Sequence, residues 1–359
     1  MTAGPFSWGA AAGALLEAAY EGAQTAWTAC ADGMHQLLSD DSSGDGGASE
    51  TATIEGTQYR AVGRVVGEGG FSTVYLVENT ATREQFAMKR MVCPKSGSDL
   101  LAMARREVAA YGRFRHANIV RLVGHSEEAV VVRGSAAVVV VVVRMVFPLF
   151  RRGSLADAVE QRNRTGLPLA ESFIVGALRG LCGALQLLHA ETELGGGPFA
   201  HRDVKLENAL VADDGRTVVL ADFGSATPAR MTANTRADAL RIQEEAAEAC
   251  SSAYRAPELF DVQTGATVDE RADVWALGCL VFALAYGFTP FADPRNEGAG
   301  ASAALAAINA NYAHPQRSAY PDGRLRRLID AMLQPDAQRR PTIGQVAALA
   351  DELYPPSAG

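Results

Sequence analysis

Ala200-His201-Arg202-Asp203-Val204-Lys205-Leu206-Glu207-Asn208, followed fourteen residues after Asn208 by Asp222-Phe223-Gly224, is the stretch on which the reading of this chain turns. Two short apolar runs, Ala209–Val211 and Val218–Leu220, lie between the motifs and read as strands of a hairpin. Asp203, Asn208 and Asp222 then fall on loops around that hairpin. Three oxygen-bearing side chains so disposed suit a carboxylate that orients a hydroxyl and two oxygen ligands for Mg²⁺. Either triplet alone arises by chance, so the reading depends on what surrounds them.

Upstream, Val66 closes a strand-like run and Gly67-Glu68-Gly69-Gly70-Phe71-Ser72-Thr73-Val74 follows it. Glycines at 67 and 69 permit a tight hairpin whose backbone can approach phosphates without Cβ collisions. A lone run of this kind is more often a plain hairpin. Here Lys89 ends the strand-like Ala87-Met88-Lys89 fifteen residues after Val74, and Glu107 lies in RREVAAYGRF on the helical stretch that follows. A half-buried Lys needs an anion partner, and Glu107 is the candidate. Tyr59 to Lys89 reads as strands, Ser98 to Arg115 as helix, Ile119 to Phe147 as strands again, and the chain from Leu155 onward as mostly helix. The expected fold class is α+β: a small β-rich lobe preceding a larger α-rich one. For the valines from Val138 to Val143 core packing is expected.

The ordered series of glycine loop, Lys89, Glu107, HRDxKxxN and DFG resembles the eukaryotic protein kinase catalytic domain over about residues 58–355. Ala256-Pro257-Glu258, Asp273-Val274-Trp275-Ala276-Leu277-Gly278 and Arg340-Pro341-Thr342 extend the resemblance, which implies a Glu258–Arg340 pair and a catalytic loop steadied by Asp273. GEGGFSTVYLVEN, FPLFRRGSL, CSSAYRAPELF and VDERADVWALGC are similar to the Numb-associated kinase family, nearest its myristoylated and palmitoylated serine/threonine kinase branch. The implied layout is a two-lobed kinase fold: an acidic extension and linker over 1–57, an N-lobe over 58–147, a hinge over 148–152 and a C-lobe over 153–355.

The resemblance implies phosphoryl transfer from ATP, with Mg²⁺, to Ser or Thr hydroxyls of protein substrates; the alternative is a pseudokinase or scaffold of membrane trafficking. It assigns roles residue by residue. Val66, Gly67, Glu68, Gly69, Gly70, Phe71 and Ser72 border or cover the phosphates, with Ser72 where many kinases have a third glycine. Val74, Ala87 and Leu210 sandwich the adenine. Lys89, held by Glu107, grips the α- and β-phosphates. Asp203 takes or orients the hydroxyl proton, Lys205 offsets γ-phosphate charge, and Asn208 and Asp222 hold metal. Counting back from Gly153-Ser154-Leu155 makes Phe147 the gatekeeper; Pro148 lacks an N–H but keeps its carbonyl, and Phe150 keeps its N–H for the base. Tyr111, Leu122, His201 and Phe223 match the apolar spine of active kinases. Lys205 and Ser251 point to Ser/Thr specificity. The 37-residue segment from Asp222 to Glu258 contains ADALRIQEEAAEA (237–249), a good helix former, so an ordered helix beside the substrate site is expected. Activity without obligatory phosphorylation is expected with it, Thr232 and Thr235 being the candidate switch sites beside Arg202.

The bulk numbers agree. Of 359 residues, 48% are hydrophobic and 21% charged. The formal charge of −8 is uneven: residues 1–50 hold seven acids and no Lys or Arg, which leaves 34 acids against 33 bases elsewhere. That balance argues against nucleic acid as a partner. The most apolar run, 134–143, is too short to span a bilayer. Five cysteines, none in a CxxC pair, argue for reduced thiols. Leu16, Tyr20, Ala23, Trp27, Cys30, Met34 and Leu37 form a stripe at helical spacing, and 41–57 reads as a linker. Residue 2 is Thr, so the family's myristoylation signal is missing and its acyl anchor is not expected. The expected location is cytoplasmic, with a peripheral endomembrane association by family analogy.

Overall fold

The computed structural model describes residues 51–69, 72–94, 100–133, 137–190, 197–291 and 303–355. The apolar stripe from Leu16 to Leu37 and most of the linker lie outside them. The chain divides into two units, one built from residues up to Arg105 plus Val123–Phe147, the other from Arg106–Leu122 plus residues from Pro148 onward.

The first unit is a six-stranded sheet of β1 (Thr51–Ile54), β2 (Thr57–Gly69), β3 (Ser72–Asn79), β4 (Gln85–Pro94), β5 (Gly124–Arg133) and β6 (Ala137–Pro148), in the order β1-β2-β3-β4-β6-β5. Strict alternation in β3 buries Thr73, Tyr75 and Val77 and leaves Ser72, Val74 and Leu76 half-buried. On β4, Phe86, Met88 and Arg90 are buried, and they pair with Val77, Tyr75 and Thr73. Ala52, Ile54, Tyr59, Tyr75, Val77, Phe86, Met88 and Val146 form the core beneath this face. Of the valines expected in the core, Val140–Val143 are buried but Val139, at 37% exposed, is not; the side chain of Val138 lies outside the described residues.

β1 is a correction. The Gly-, Ser-, Thr- and acid-rich composition of 41–57 predicts a linker through residues 51–54. They form a strand because Ala52 and Ile54 alternate into the core while Thr51 and Thr53 face out. The two-residue turn Glu55-Gly56 has φ of 48° and 80°, the left-handed pair that a tight antiparallel hairpin requires.

The chain passes to the second unit within α1 (Leu100–Arg113). That unit contains α2 (Leu155–Thr165), α3 (Glu171–His189), β7 (Phe199–Ala200), β8 (Ala209–Val211), β9 (Val218–Leu220), β10 (Thr227–Pro228), β11 (Met231–Thr232), α4 (Arg236–Ala249), β12 (Thr267–Val268), α5 (Arg271–Tyr286), α6 (Ala303–Ile308), α7 (Arg324–Met332) and α8 (Ile343–Leu353). Ser154, Thr235 and Thr342 start α2, α4 and α8 with reciprocal capping boxes. α5 is buried on every side from Ala272 to Ala285. α3 is long and apolar enough to cross a membrane by length and composition. Ile174, Leu178, Leu181, Leu185 and Leu188 are fully buried against the rest of the unit, as in a core helix.

Cys93, Cys182, Cys250 and Cys279 are free and buried. Burial pushes the thiols up, to about 11 for Cys93 and about 12 for Cys182 and Cys250. At pH 8 the folded protein should leave these four unalkylated by iodoacetamide, and unfolding in guanidinium should expose all of them; peptide mass spectrometry reads the result. Rapid native labelling at Cys250 would show that the segment ahead of Ser251 opens.

Candidate active site

The first unit carries the candidate nucleotide residues on one face. In β3–β4, Val74 pairs with Lys89 and Leu76 with Ala87, so Val74, Lys89 and Ala87 share the half-buried side opposite the core. Gly67 pairs with Val74, and Gly69 with Ser72, so β2 and β3 close a hairpin tip at the glycine run. Gly70 and Phe71 lie outside the described residues, and for Val66, Glu68 and Gly69 the backbone alone is described. Two register shifts between Ala61 and Gly67 interrupt the β2 ladder just before the tip. Phe147 is buried near the end of β6, which closes with Pro148.

The second unit gathers the catalytic-loop residues. Asp203 accepts on its carboxylate from Ser251 Oγ at 2.9 Å, from Asn208 Nδ2 at 3.0 Å and in an ion pair with Lys205 Nζ at 2.7 Å. Lys205 also donates to Ser251 Oγ at 3.1 Å. Asn208 donates through the same amide nitrogen to the Asp203 carbonyl at 2.9 Å. Its nitrogen is thereby committed and its amide oxygen is the atom left to ligate a cation. The β8–β9 hairpin, with Leu210 opposite Val219, returns the chain so that Ala221 N donates to Asn208 O at 2.8 Å. Asn208 and Asp222 therefore sit at the same end of the hairpin. Two oxygen ligands there leave the rest of a Mg²⁺ shell to phosphate oxygens and water, the usual arrangement for this ion at a nucleotide.

Asp273 of α5 underpins the loop. It is buried, and its carboxylate accepts from His201 N at 2.7 Å and Arg202 N at 2.9 Å, with His189 Nε2 at 2.9 Å. Burial acts to raise its pKa, but the His189 bond, with charge from His189, His201 and Arg202, holds the carboxyl below its usual range. His189 ends α3; no motif in the sequence announces it. The resemblance-implied Glu258–Arg340 pair is bidentate, at 2.9 Å on each oxygen.

The three rings of the expected spine come together: Tyr111 to Phe223 at 5.0 Å and His201 to Phe223 at 5.2 Å, with Leu122 half-buried in the same unit. Glu107 on α1 is fully buried. A Cβ at Gly224 would lie 3.2 Å from Asp222 Oδ1 and 3.4 Å from Glu107 Oε2, which explains the glycine after Phe223. Arg202 and Asp222 have φ of 67° and 63°, so two of the non-glycine residues in the left-handed region flank the chemistry. Residues 237–249 lie in α4, capped by Thr235, whose hydroxyl accepts from Asp238 N at 3.1 Å.

The protein kinase domain family is matched over residues 60–350. Serine/threonine-protein kinase 16 of Rattus norvegicus is 35% identical over 309 residues, covering 86% of this chain and 94% of that protein. Its Homo sapiens counterpart is 34% identical with the same coverage. Serine/threonine-protein kinase ppk13 of Schizosaccharomyces pombe is 30% identical over 332 residues, covering 84% and 92%.

Proposed function

Because this chain belongs to the protein kinase domain family, we propose that it transfers the γ-phosphate of MgATP to serine and threonine hydroxyls of proteins, with Asp203 as the group that meets the substrate hydroxyl. The observation that carries this is the convergence of Ser251, Lys205 and Asn208 on one carboxylate. Held by these three groups, Asp203 can accept the proton as the hydroxyl oxygen bonds to phosphorus and the bond to the ADP oxygen breaks. Lys205, at 2.7 Å from Asp203, supplies positive charge where the transferred group gains negative charge. Gly67, Val74, Ala87 and Lys89 are the residues that the first unit offers a nucleotide, and Leu210, Asn208 and Asp222 are those that the second offers. Bound Mg²⁺ would neutralise phosphate charge, with Asn208 and Asp222 as its protein ligands. Phosphorylation of a degenerate peptide library containing Ser, Thr and Tyr tests the reading. Phosphoserine and phosphothreonine are expected, and labelling of tyrosine alone would overturn the specificity.

We infer further that the chain belongs with the Numb-associated kinases, on the likeness of its CSSAYRAPELF and FPLFRRGSL segments, and that it is cytoplasmic and peripheral to endomembranes. Fractionation of cells expressing the full chain tests the location.

Activation without phosphorylation is the companion proposal. The Arg202 guanidinium is buried and donates to the Ala229 carbonyl at 2.6 Å and the Asp269 carbonyl at 3.4 Å, so backbone oxygens occupy the group that a phosphate would have to claim. Thr232 bonds Thr267 Oγ1 at 3.1 Å, and Thr235 caps α4. The double variant Thr232→Ala, Thr235→Asn, which keeps the cap and removes both hydroxyls, should retain activity within about twofold, since asparagine caps a helix as well as threonine. A near-total loss of activity would show that phosphorylation at one of these threonines is required.

A further inference from the structure

Tyr111 sits one turn beyond Glu107 on α1 and is 5% exposed. Its ring packs edge-on against Phe223, as a spine residue should. Its hydroxyl does something packing does not require: it accepts the backbone N–H of Asp222 at 3.0 Å. Asp222 is the residue at φ +63°, the left-handed region, which residues with a Cβ enter at a cost that is smaller for Asp than for most. The peptide before it is pinned on both sides: Ala221 N donates to Asn208 O at 2.8 Å, and His201 Nε2 lies 3.1 Å from Ala221 O. On the other side, Gly224 N donates to Asp222 Oδ1 at 3.2 Å. The Asp222 N–H is therefore the point at which a side chain, not the local backbone, fixes the strained residue.

We propose that Tyr111 is a positioning residue for the metal-holding carboxylate: its hydroxyl keeps Asp222 in the left-handed conformation and so fixes where that carboxylate points. The inference rests on the assignment of Asp222 as a metal ligand. A phenylalanine at 111 would pack against Phe223 equally well but leave the Asp222 amide without its acceptor, and an amide in a buried site without a partner favours other conformations. The phenol is suited to the task. Burial, with the nearby charges of Glu107 and Asp222, pushes its pKa well up, so it remains a neutral hydroxyl across the working pH range.

The test is calorimetric binding of a non-hydrolysable ATP analogue to the full chain, in Mg²⁺ and in EDTA, for wild type, Tyr111→Phe and Asp222→Asn. Tyr111→Phe should bind roughly three- to tenfold more weakly in Mg²⁺, the worth of one hydrogen bond, and equally well in EDTA. Asp222→Asn should lose the Mg²⁺-dependent gain altogether. Wild-type affinity of Tyr111→Phe in Mg²⁺, or an equal loss in EDTA, would overturn the proposal, the second result assigning Tyr111 to packing alone. If Asp222→Asn keeps the full Mg²⁺-dependent gain, the metal assignment itself fails, and the inference with it. Hydrogen exchange on wild type reads the bond without any variant. Protection of the Asp222 amide is expected; exchange at the rate of an exposed loop would sink the idea.

Discussion

Asp203→Asn is expected to lower phosphoryl transfer by about 10²–10⁴-fold, the range that a positioned general base supplies. Asn preserves the size of the side chain and one acceptor oxygen. It can still take a hydrogen bond from Ser251 Oγ or Asn208 Nδ2, the two donors that now reach the carboxylate at 2.9 and 3.0 Å. What it cannot do is accept a proton or pair as an anion with Lys205, which lies 2.7 Å away. The loss should therefore appear in kcat, with nucleotide affinity and thermal unfolding close to wild type. Steady-state kinetics beside calorimetry and scanning calorimetry separate these quantities. A variant with activity within a few-fold of wild type would remove Asp203 from the chemistry, whereas a wild-type protein that transfers no phosphate at all would make a kinase fold that only binds the better reading.

Arg340→Met is expected to produce the largest loss of stability, about 3–5 kcal/mol, as for breaking other buried ion pairs from one side. The Arg340 side chain is fully buried, and Glu258 is 20% exposed. The guanidinium donates to both Glu258 oxygens at 2.9 Å, to the Arg271 carbonyl at 2.7 Å and to the Gln334 carbonyl at 3.1 Å, with its carbon 5.2 Å from the centre of the Trp275 ring. One side chain thus ties the segment carrying Glu258 to the start of α5 and to the chain entering α8. Methionine fills the volume but strands a mostly buried carboxylate and two carbonyls without their donor. The double variant Glu258→Leu, Arg340→Met should recover part of the loss, because it removes the uncompensated charge. In scanning calorimetry the single variant should unfold on the order of 10 °C lower than wild type. Equal losses in the single and double variants would show that the pair's charge is not what matters. Because Glu258 closes the segment that begins at Asp222, peptide phosphorylation should fall along with stability.

Much of the site could be read from the chain because its chemistry is written in short, ordered words. HRDVKLEN, DFG, the glycine run and Lys89 each fix a residue type at a fixed distance from the next, and β8 and β9 follow from two apolar triplets. α4 was legible from composition, and Thr235 with Asp238 wrote its cap. β1 was not, since a four-residue strand with two exposed threonines declares itself only against the core that takes Ala52 and Ile54. Nor was the membrane-length character of α3 informative by itself; burial of its leucines decided what that apolarity is for.

The sequence by itself determined the class of reaction and pointed to the residues proposed to perform it. Metal ligands, a proton acceptor and phosphate-binding glycines are requirements of chemistry, and chemistry restricts residue type at given spacings. The tertiary structure alone decided which groups support them. Asp273 receiving two backbone amides and His189, Arg202 occupied by carbonyls, and Tyr111 taking the amide of Asp222 all join residues tens to more than a hundred positions apart. Such partners are selected by distance and direction in the folded chain. Many residue types could have filled those places, so spacing along the sequence carries no trace of them.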